Sequence, residues 1–360
     1  MLLRLSAIVV LVCAVCASGG CGCGRRKETP PEDQTRTLPE KKPPVVTTVP
    51  EIKPPPSPWA KLPDMDGPLA RFALATDGEN IYRLGGVDFD ITVGEQYGRG
   101  AACYVPAVGR WAALPPAPFG TGNALAVAFP GQDALIAIAG IDKLGDPFKT
   151  DSVTIGVLRP DPEEWQVIDF PTPGLGRPDK AVWWQGEKAL LLTMDAAAEN
   201  GQSVALLDLG AMKPITRLAD FPIEGRMVGA ATLDDTLYVL QEGQAPVLMR
   251  FDLTGNTWQE SVQLDEFDEP VQAHLADFFG TNGTLYLWVN SPADDYTKRS
   301  VVYRIDPDTG AVALLHPQHP GPPSRRNTSG ILVGSRYYIF GGQQQGDAHL
   351  SDIWQYDLRD

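Results

Sequence analysis

Cysteine, histidine and basic charge are scarce in this chain, and each shortage removes a class of chemistry. Of the five cysteines, four (Cys13, Cys16, Cys21 and Cys23) crowd the amino terminus, leaving Cys103 for the remainder of the 360 residues. One cysteine builds neither a disulfide framework nor a CxxC metal site. Histidine occurs four times, at His274, His316, His319 and His349. The close pair, His316 and His319, flanks Pro317 in a proline-rich connection without a supporting carboxylate, so no metal site is assigned. Thirty Lys and Arg against 45 Asp and Glu give a formal net charge of −15. Such a surface repels phosphate backbones, so nucleic acid is not an expected partner. No GxSxG, HExxH or P-loop pattern occurs, and no segment sustains capped helical periodicity. In place of these, 36 glycines, 33 prolines and 43% hydrophobic residues describe a globular chain rich in turns.

The amino terminus reads as an export signal over residues 1–20. Arg4 supplies a positive start, and the apolar run over residues 5–17 is too short to span a bilayer comfortably. Ala17, Ser18, Gly19 and Gly20 then lead into Cys21, and small residues before a cysteine resemble the lipobox of bacterial lipoproteins. Cys21 is the expected lipid-attachment residue, the membrane is an expected partner through that anchor alone, and the outer membrane, facing periplasm or cell surface, is the expected location; ordinary secretory cleavage, with the protein secreted, is the other reading. Residues 21–56 hold nine prolines and almost no large apolar side chain. They read as a disordered, extended tether that stands the domain off a surface.

Past this tether the chain repeats. Six apolar segments recur at a spacing of about fifty residues: IYRLGG (81–86), LIAIAG (135–140), ALLLTM (189–194), LYVLQE (237–242), LYLWVN (285–290) and YYIFGG (337–342). Each follows a turn, and another short apolar run precedes each turn, from FALAT (72–76) to SGILV (329–333), as in hairpins. A third and fourth strand follow, joined by Tyr-Asp-Pro-like turns, with the fourth strand often opening on tryptophan. Each unit is thus four strands. A double glycine after an apolar strand, then Tyr-Asp, then Trp, resembles the kelch family over residues 57–360. Gly85-Gly86 and Gly341-Gly342 match best, blade two keeps Gly140, and blades three to five carry other residues there. The resemblance implies an all-β, six-bladed β-propeller of four-stranded blades.

The last unit ends at Tyr356-Asp357 without a fourth strand, while SPWAKLP (57–63) stands before the first unit as a Trp-led strand with no other use. Pairing Trp59 to Leu62 with the last unit is expected to complete that blade and cover an open sheet edge.

Loops joining second to third strands share a face with those joining one unit to the next, and most are long and polar, the usual place for binding. Arg71, Arg177, Arg226, His274, Arg325 and Arg326 stand before first strands, where they are expected to ring the channel mouth. Arginine there suits an anion, or ties neighbouring blades together through Asp residues and carbonyls. Asp88, Asp90, Asp142, Asp146, Asp195, Asp294 and Asp295 fall on the same face, where calcium is one reading and plain solvation the other. Copper oxidases of kelch type need a Cys–Tyr crosslink near the axis, whereas Cys103 lies in a third strand as a small apolar residue. No cofactor is therefore expected. The chain reads as a non-catalytic module that takes a protein or carbohydrate ligand on this loop face. The alternative is an enzyme similar to N-acetylneuraminate epimerases, acting on an acidic sugar with Glu95 or Glu242 moving protons.

Overall fold

The structure is a computed structural model. It describes residues 57–359 apart from 91–93, 120–123, 132–133, 139–151, 161–162, 172–177, 194–201, 223–224, 268–269, 274, 291–298, 320 and 345–347, and backbone alone at 88–90, 94–97, 152, 160 and 163. Every regular element among them is a strand. Trp59–Leu62 (β1) comes first. The first blade opens with Ala73–Thr76 (β2) and Ile81–Leu84 (β3). It then throws out a small hairpin of Val87–Asp90 (β4) and Gly94–Tyr97 (β5), and ends with Ala101–Val105 (β6) and Arg110–Ala113 (β7). Blade two is Leu125–Phe129 (β8), Ala134–Ile138 (β9), Ser152–Pro160 (β10) and Glu163–Pro171 (β11). Blade three is Lys180–Gln185 (β12), Lys188–Thr193 (β13), Ser203–Asp208 (β14) and Thr216–Asp220 (β15). Blade four runs through Met227–Leu233 (β16), Thr236–Gln241 (β17) and Val247–Asp252 (β18) to an outer strand in two pieces, Thr257–Trp258 (β19) and Val262–Gln263 (β20). Blade five is Ala276–Thr281 (β21), Thr284–Val289 (β22), Val301–Ile305 (β23) and Val312–Leu315 (β24). Blade six has Ser329–Val333 (β25), Arg336–Phe340 (β26) and Ile353–Asp357 (β27), with β1 as its fourth strand.

The blades are antiparallel sheets whose first strands β2, β8, β12, β16, β21 and β25 neighbour one another in that order and back to β2, so the propeller ring is closed. Closure follows the expected pairing, in a register that sets Trp59 opposite Tyr356 and Leu62 opposite Ile353. The Trp59 ring is 8% exposed, lies edge-on to Tyr356 at 4.6 Å, and presses on Gly321, where a Cβ would sit 2.7 Å from the indole.

The core is distributed over the six interfaces between blades. Successive side chains of a strand point to opposite faces of its sheet. Leu191 of β13 accordingly packs towards blade two with Phe129, Ile136 and Ile155, while Leu190 and Leu192 pack towards blade four with Val239 and Met249. Both faces of a middle strand are buried, which is why these segments read as unbroken apolar runs and not as an alternation. In blades three to six the third strand ends in, or runs into, an aspartate that caps the following turn. The Oδ1 of Asp252 accepts the amides of Thr254 and Gly255, and that of Asp306 those of Asp308 and Thr309.

The glycine pairs that close β3 and β26 set up the mouth of the ring. Gly85, Gly86, Gly341 and Gly342 all have positive φ, from 52° to 113°. They bring the chain close under the segment entering each blade: a Cβ on Gly342 would come within 2.6 Å of the Thr328 hydroxyl, and one on Gly86 within 3.1 Å of the Phe72 Cβ. Ala70 and Val87 consequently exchange backbone hydrogen bonds, as do Arg326 and Gln343. The residue after each bridge, Arg71 and Asn327, is left-handed, with φ of 55° and 53°. Two expectations needed adjustment. The segment read as a loop after β3 contains the β4–β5 hairpin, and the outer strand of blade four is interrupted where the Arg250 guanidinium binds the Glu260 carbonyl.

Candidate ligand-binding channel

The first strands enclose a cavity of about 630 Å³ on the propeller axis. Its polar lining gathers where the chain enters each blade: Arg71 before β2, Asp179 and Lys180 at the start of β12, Asp277 as the second residue of β21, and Asn327, Thr328 and Ser329 at the start of β25. Farther along the same strands the wall is apolar, with Leu74, Val182, Phe279, Ile331 and Leu332. Among the described residues the channel therefore has a polar mouth on the loop face and an apolar depth. Arg71 and Lys180 face Asp179 and Asp277 in number, and the third lining cation, Arg325, is paired with Asp352, so the charge is nearly balanced.

Asp277 has a defined setting. Its Oδ2 accepts the Tyr337 hydroxyl at 2.8 Å and its Oδ1 the Phe278 amide at 3.1 Å. Burial raises its pKa above the usual carboxylate range, while the Lys180 charge and these two hydrogen bonds pull it back. Burial, and next the Asp277 charge, push the Tyr337 phenol well above its ordinary value. Tyr337 is fully buried and stacked on Phe279 with ring centroids 4.2 Å apart. Its hydroxyl reaches Asp277 across Gly330 of β25, where any Cβ would overlap the phenol oxygen. Two polar atoms on cavity-lining residues, the Trp288 indole nitrogen and the Thr328 hydroxyl, are buried without a hydrogen-bond partner among the described residues.

The residues singled out from sequence are spread over different settings. Arg71 and Arg325 both line the channel. Arg325 is 1% exposed, and its guanidinium is spent inside the fold: Asp352 takes it in two contacts of 2.5 and 3.0 Å, and the carbonyls of Gly341 and Pro323 take the rest. Arg326 holds Gln343 through its backbone. Arg226, with a side chain 79% exposed, lies 3.9 Å from Glu242, whose other oxygen accepts the Ala273 amide. Asp88 and Asp90 belong to β4, with side chains outside the described residues. Arg177, His274, Asp294, Asp295 and Cys21 also lie outside them, as do Asp142, Asp146 and Asp195. Among the described residues no three His, Cys, Asp or Glu side chains converge as metal ligands. Cys103 is half-buried in β6, its thiol pushed up to about 11 by burial and next by the Asp77 charge.

Sequence reasoning passed over Lys180, Asp277, Tyr337 and Gly330. A signal existed: LADFF (275–279) puts a carboxylate inside an inner-strand segment, where apolar or small residues are the norm.

No family model and no curated protein sequence matches the chain. Among solved structures, that of YjhT superimposes with a TM-score of 0.55 at 14% identity, covering 81% of this chain and 95% of YjhT. At that identity the likeness is one of fold.

Proposed function

We propose that this chain is a kelch-type propeller, tethered at the cell envelope through Cys21 and residues 21–56, that binds a glycan without chemical turnover at the loop-face mouth of its channel. The observation that carries the reading is the cavity. Its volume of about 630 Å³ falls within the range of ligand pockets, roughly 300–1,000 Å³. A stable protein partner needs about 800 Å² of surface on each side, which a recess of this size does not offer. Hydroxyl, amide and charged groups at the mouth above an aromatic and aliphatic depth suit a sugar unit. The kelch assignment is supported by the positive φ of both glycine pairs, by the Asp-capped turns and by the likeness in fold to YjhT.

A thermal-shift screen against neutral sugars, acidic sugars and divalent cations tests the binding reading. A ligand at one hundred times its dissociation constant adds about 2.7 kcal/mol. A shift with a sugar that is lost in Arg71→Ala or Lys180→Met supports the channel, and silence towards every sugar defeats it. For the anchor, Cys21→Ala is expected to move the protein from the membrane to the soluble fraction.

A second reading, an enzyme similar to N-acetylneuraminate epimerases, draws support from Asp277 and Tyr337, two ionisable groups perturbed by burial beside a cavity. Deuterium incorporation into N-acetylneuraminate in heavy water is its test, and an unlabelled product pool counts against it.

A further inference from the structure

We propose that Asp277 is the hydroxyl-reading subsite of the channel, accepting two adjacent hydroxyls of a neutral sugar unit on the carboxylate lone pairs that Tyr337 and the Phe278 amide leave open. This rests on the glycan reading above and specifies what part of the ligand the channel reads.

An ionised carboxylate offers about four acceptor positions. Within the fold Asp277 uses two, one on each oxygen, for Tyr337 at 2.8 Å and Phe278 at 3.1 Å. About two remain, and the residue lines the cavity. Two neighbouring hydroxyls on one ring match that capacity, because each donates one proton to one oxygen. The carboxylate is also fixed before any ligand arrives. Tyr337 is locked by its stack on Phe279, and Gly330 keeps open the path by which the phenol reaches Asp277. Pre-set acceptors of this kind lower the ordering cost of binding.

Two independent features point to a hydroxylated ligand. Trp288 is 3% exposed, lines the same cavity, and carries an indole N–H with no hydrogen-bond partner among the described residues; the Thr328 hydroxyl on the neighbouring blade is in the same state. Buried polar atoms left without partners are costly, and ring or hydroxyl oxygens would satisfy them. Moreover, the described lining sets Arg71 and Lys180 against Asp179 and Asp277, and its third cation, Arg325, is neutralised by Asp352, which selects against a ligand of strong net charge.

The subsite carries its own pH signature. The charged or titratable groups that bear on Asp277 are Lys180 from β12 and Tyr337 from β26, with Arg71, Asp179 and the Asp352-paired Arg325 elsewhere in the lining. Tyr337 stays protonated through neutral pH because its phenol is shifted upward. A protonated Asp277 loses acceptor capacity, so sugar affinity is present above its raised pKa and falls as the pH drops through it.

The test is saturation-transfer NMR and calorimetry on the full chain. The probes are the methyl glycosides of glucose, galactose and mannose, their deoxy counterparts, and glucuronate. At least one neutral glycoside is expected to bind, and removal of one hydroxyl of an adjacent pair is expected to abolish its signal. Asp277→Asn should weaken binding roughly 10- to 100-fold, the range for hydrogen bonds to a charged group. It should also flatten the pH profile. Tyr337→Phe should move the acid limb of that profile to higher pH, a readout that a merely structural tyrosine would not shift. The wild-type pH profile tests the proposal without any variant. A neutral glycoside bound equally by wild type and Asp277→Asn, with no acid limb, overturns the subsite and leaves the glycan reading standing. Binding of glucuronate alone overturns the neutral ligand class, and silence towards every sugar overturns both readings.

Discussion

Replacing Trp59 with alanine is expected to unlatch the ring. The indole is 8% exposed and packs among Phe279, Trp288, Val302, Ile339 and Tyr356 at the interface of blades five and six. Truncating a buried tryptophan costs about 3–5 kcal/mol, because the cavity cannot fully collapse. The edge contact with Tyr356 at 4.6 Å and the close fit on Gly321 put this site near the upper end. With an unfolding entropy of about 2.1 cal/mol/K per residue, a loss of about 5 kcal/mol in a domain of some 300 residues lowers Tm by roughly 8 °C. Loss of β1 would also leave β27 as an open edge, so concentration-dependent association should accompany the lower Tm. Circular dichroism melts and size-exclusion chromatography at two concentrations read both effects, with Trp59→Phe as the milder control. A Tm within about 1 °C of wild type would show that β1 does not close the ring, and would refute the packing argument with it.

Other consequences follow from individual contacts. Gly330→Ala drives a methyl group into the Tyr337 hydroxyl, and overpacking of this kind should cost about 1–3 kcal/mol in a urea melt. Arg325→Ala strands the Asp352 carboxylate beside Trp354 and should cost about 3–5 kcal/mol in the same melt. Arg71→Asn replaces a residue with φ of 55° by one that tolerates the left-handed region, so it should stabilise by up to about 1 kcal/mol while weakening any ligand held by the guanidinium. Burial raises the Asp277 pKa, so the folded state holds that proton more tightly than the unfolded chain does. Its contribution therefore favours folding at low pH and is lost as the pH rises through the raised value. Asp277→Asn should accordingly raise Tm at neutral pH, and the gain should vanish in acid.

The architecture was legible because propeller packing writes itself along the chain. Middle strands such as Ala134–Ile138 and Lys188–Thr193 are buried on both faces and appear as unbroken apolar runs at regular spacing. Trp59 was legible for a related reason, being an aromatic strand opener with no blade of its own. The channel was harder to read. Arg325 and Arg326 are adjacent in sequence, yet one is locked onto Asp352 and the other holds Gln343 through its backbone. That difference comes from the facing strand and leaves no mark on the local pattern. The Asp277–Tyr337–Gly330 arrangement joins two blades and segments sixty residues apart. No local periodicity marks a hydroxyl that reaches its partner across a glycine. The β4–β5 hairpin was hidden because its polar, glycine-containing sequence has the composition of a loop.

The most direct test of the channel as a binding site is a crystal structure of the protein soaked with the best-binding methyl glycoside. The account predicts one sugar ring in the cavity, with two adjacent hydroxyls within hydrogen-bond distance of the Asp277 carboxylate and Lys180 and Arg71 nearby. A sugar seated on the outer faces of the blades, or an empty channel under saturating ligand, would contradict it.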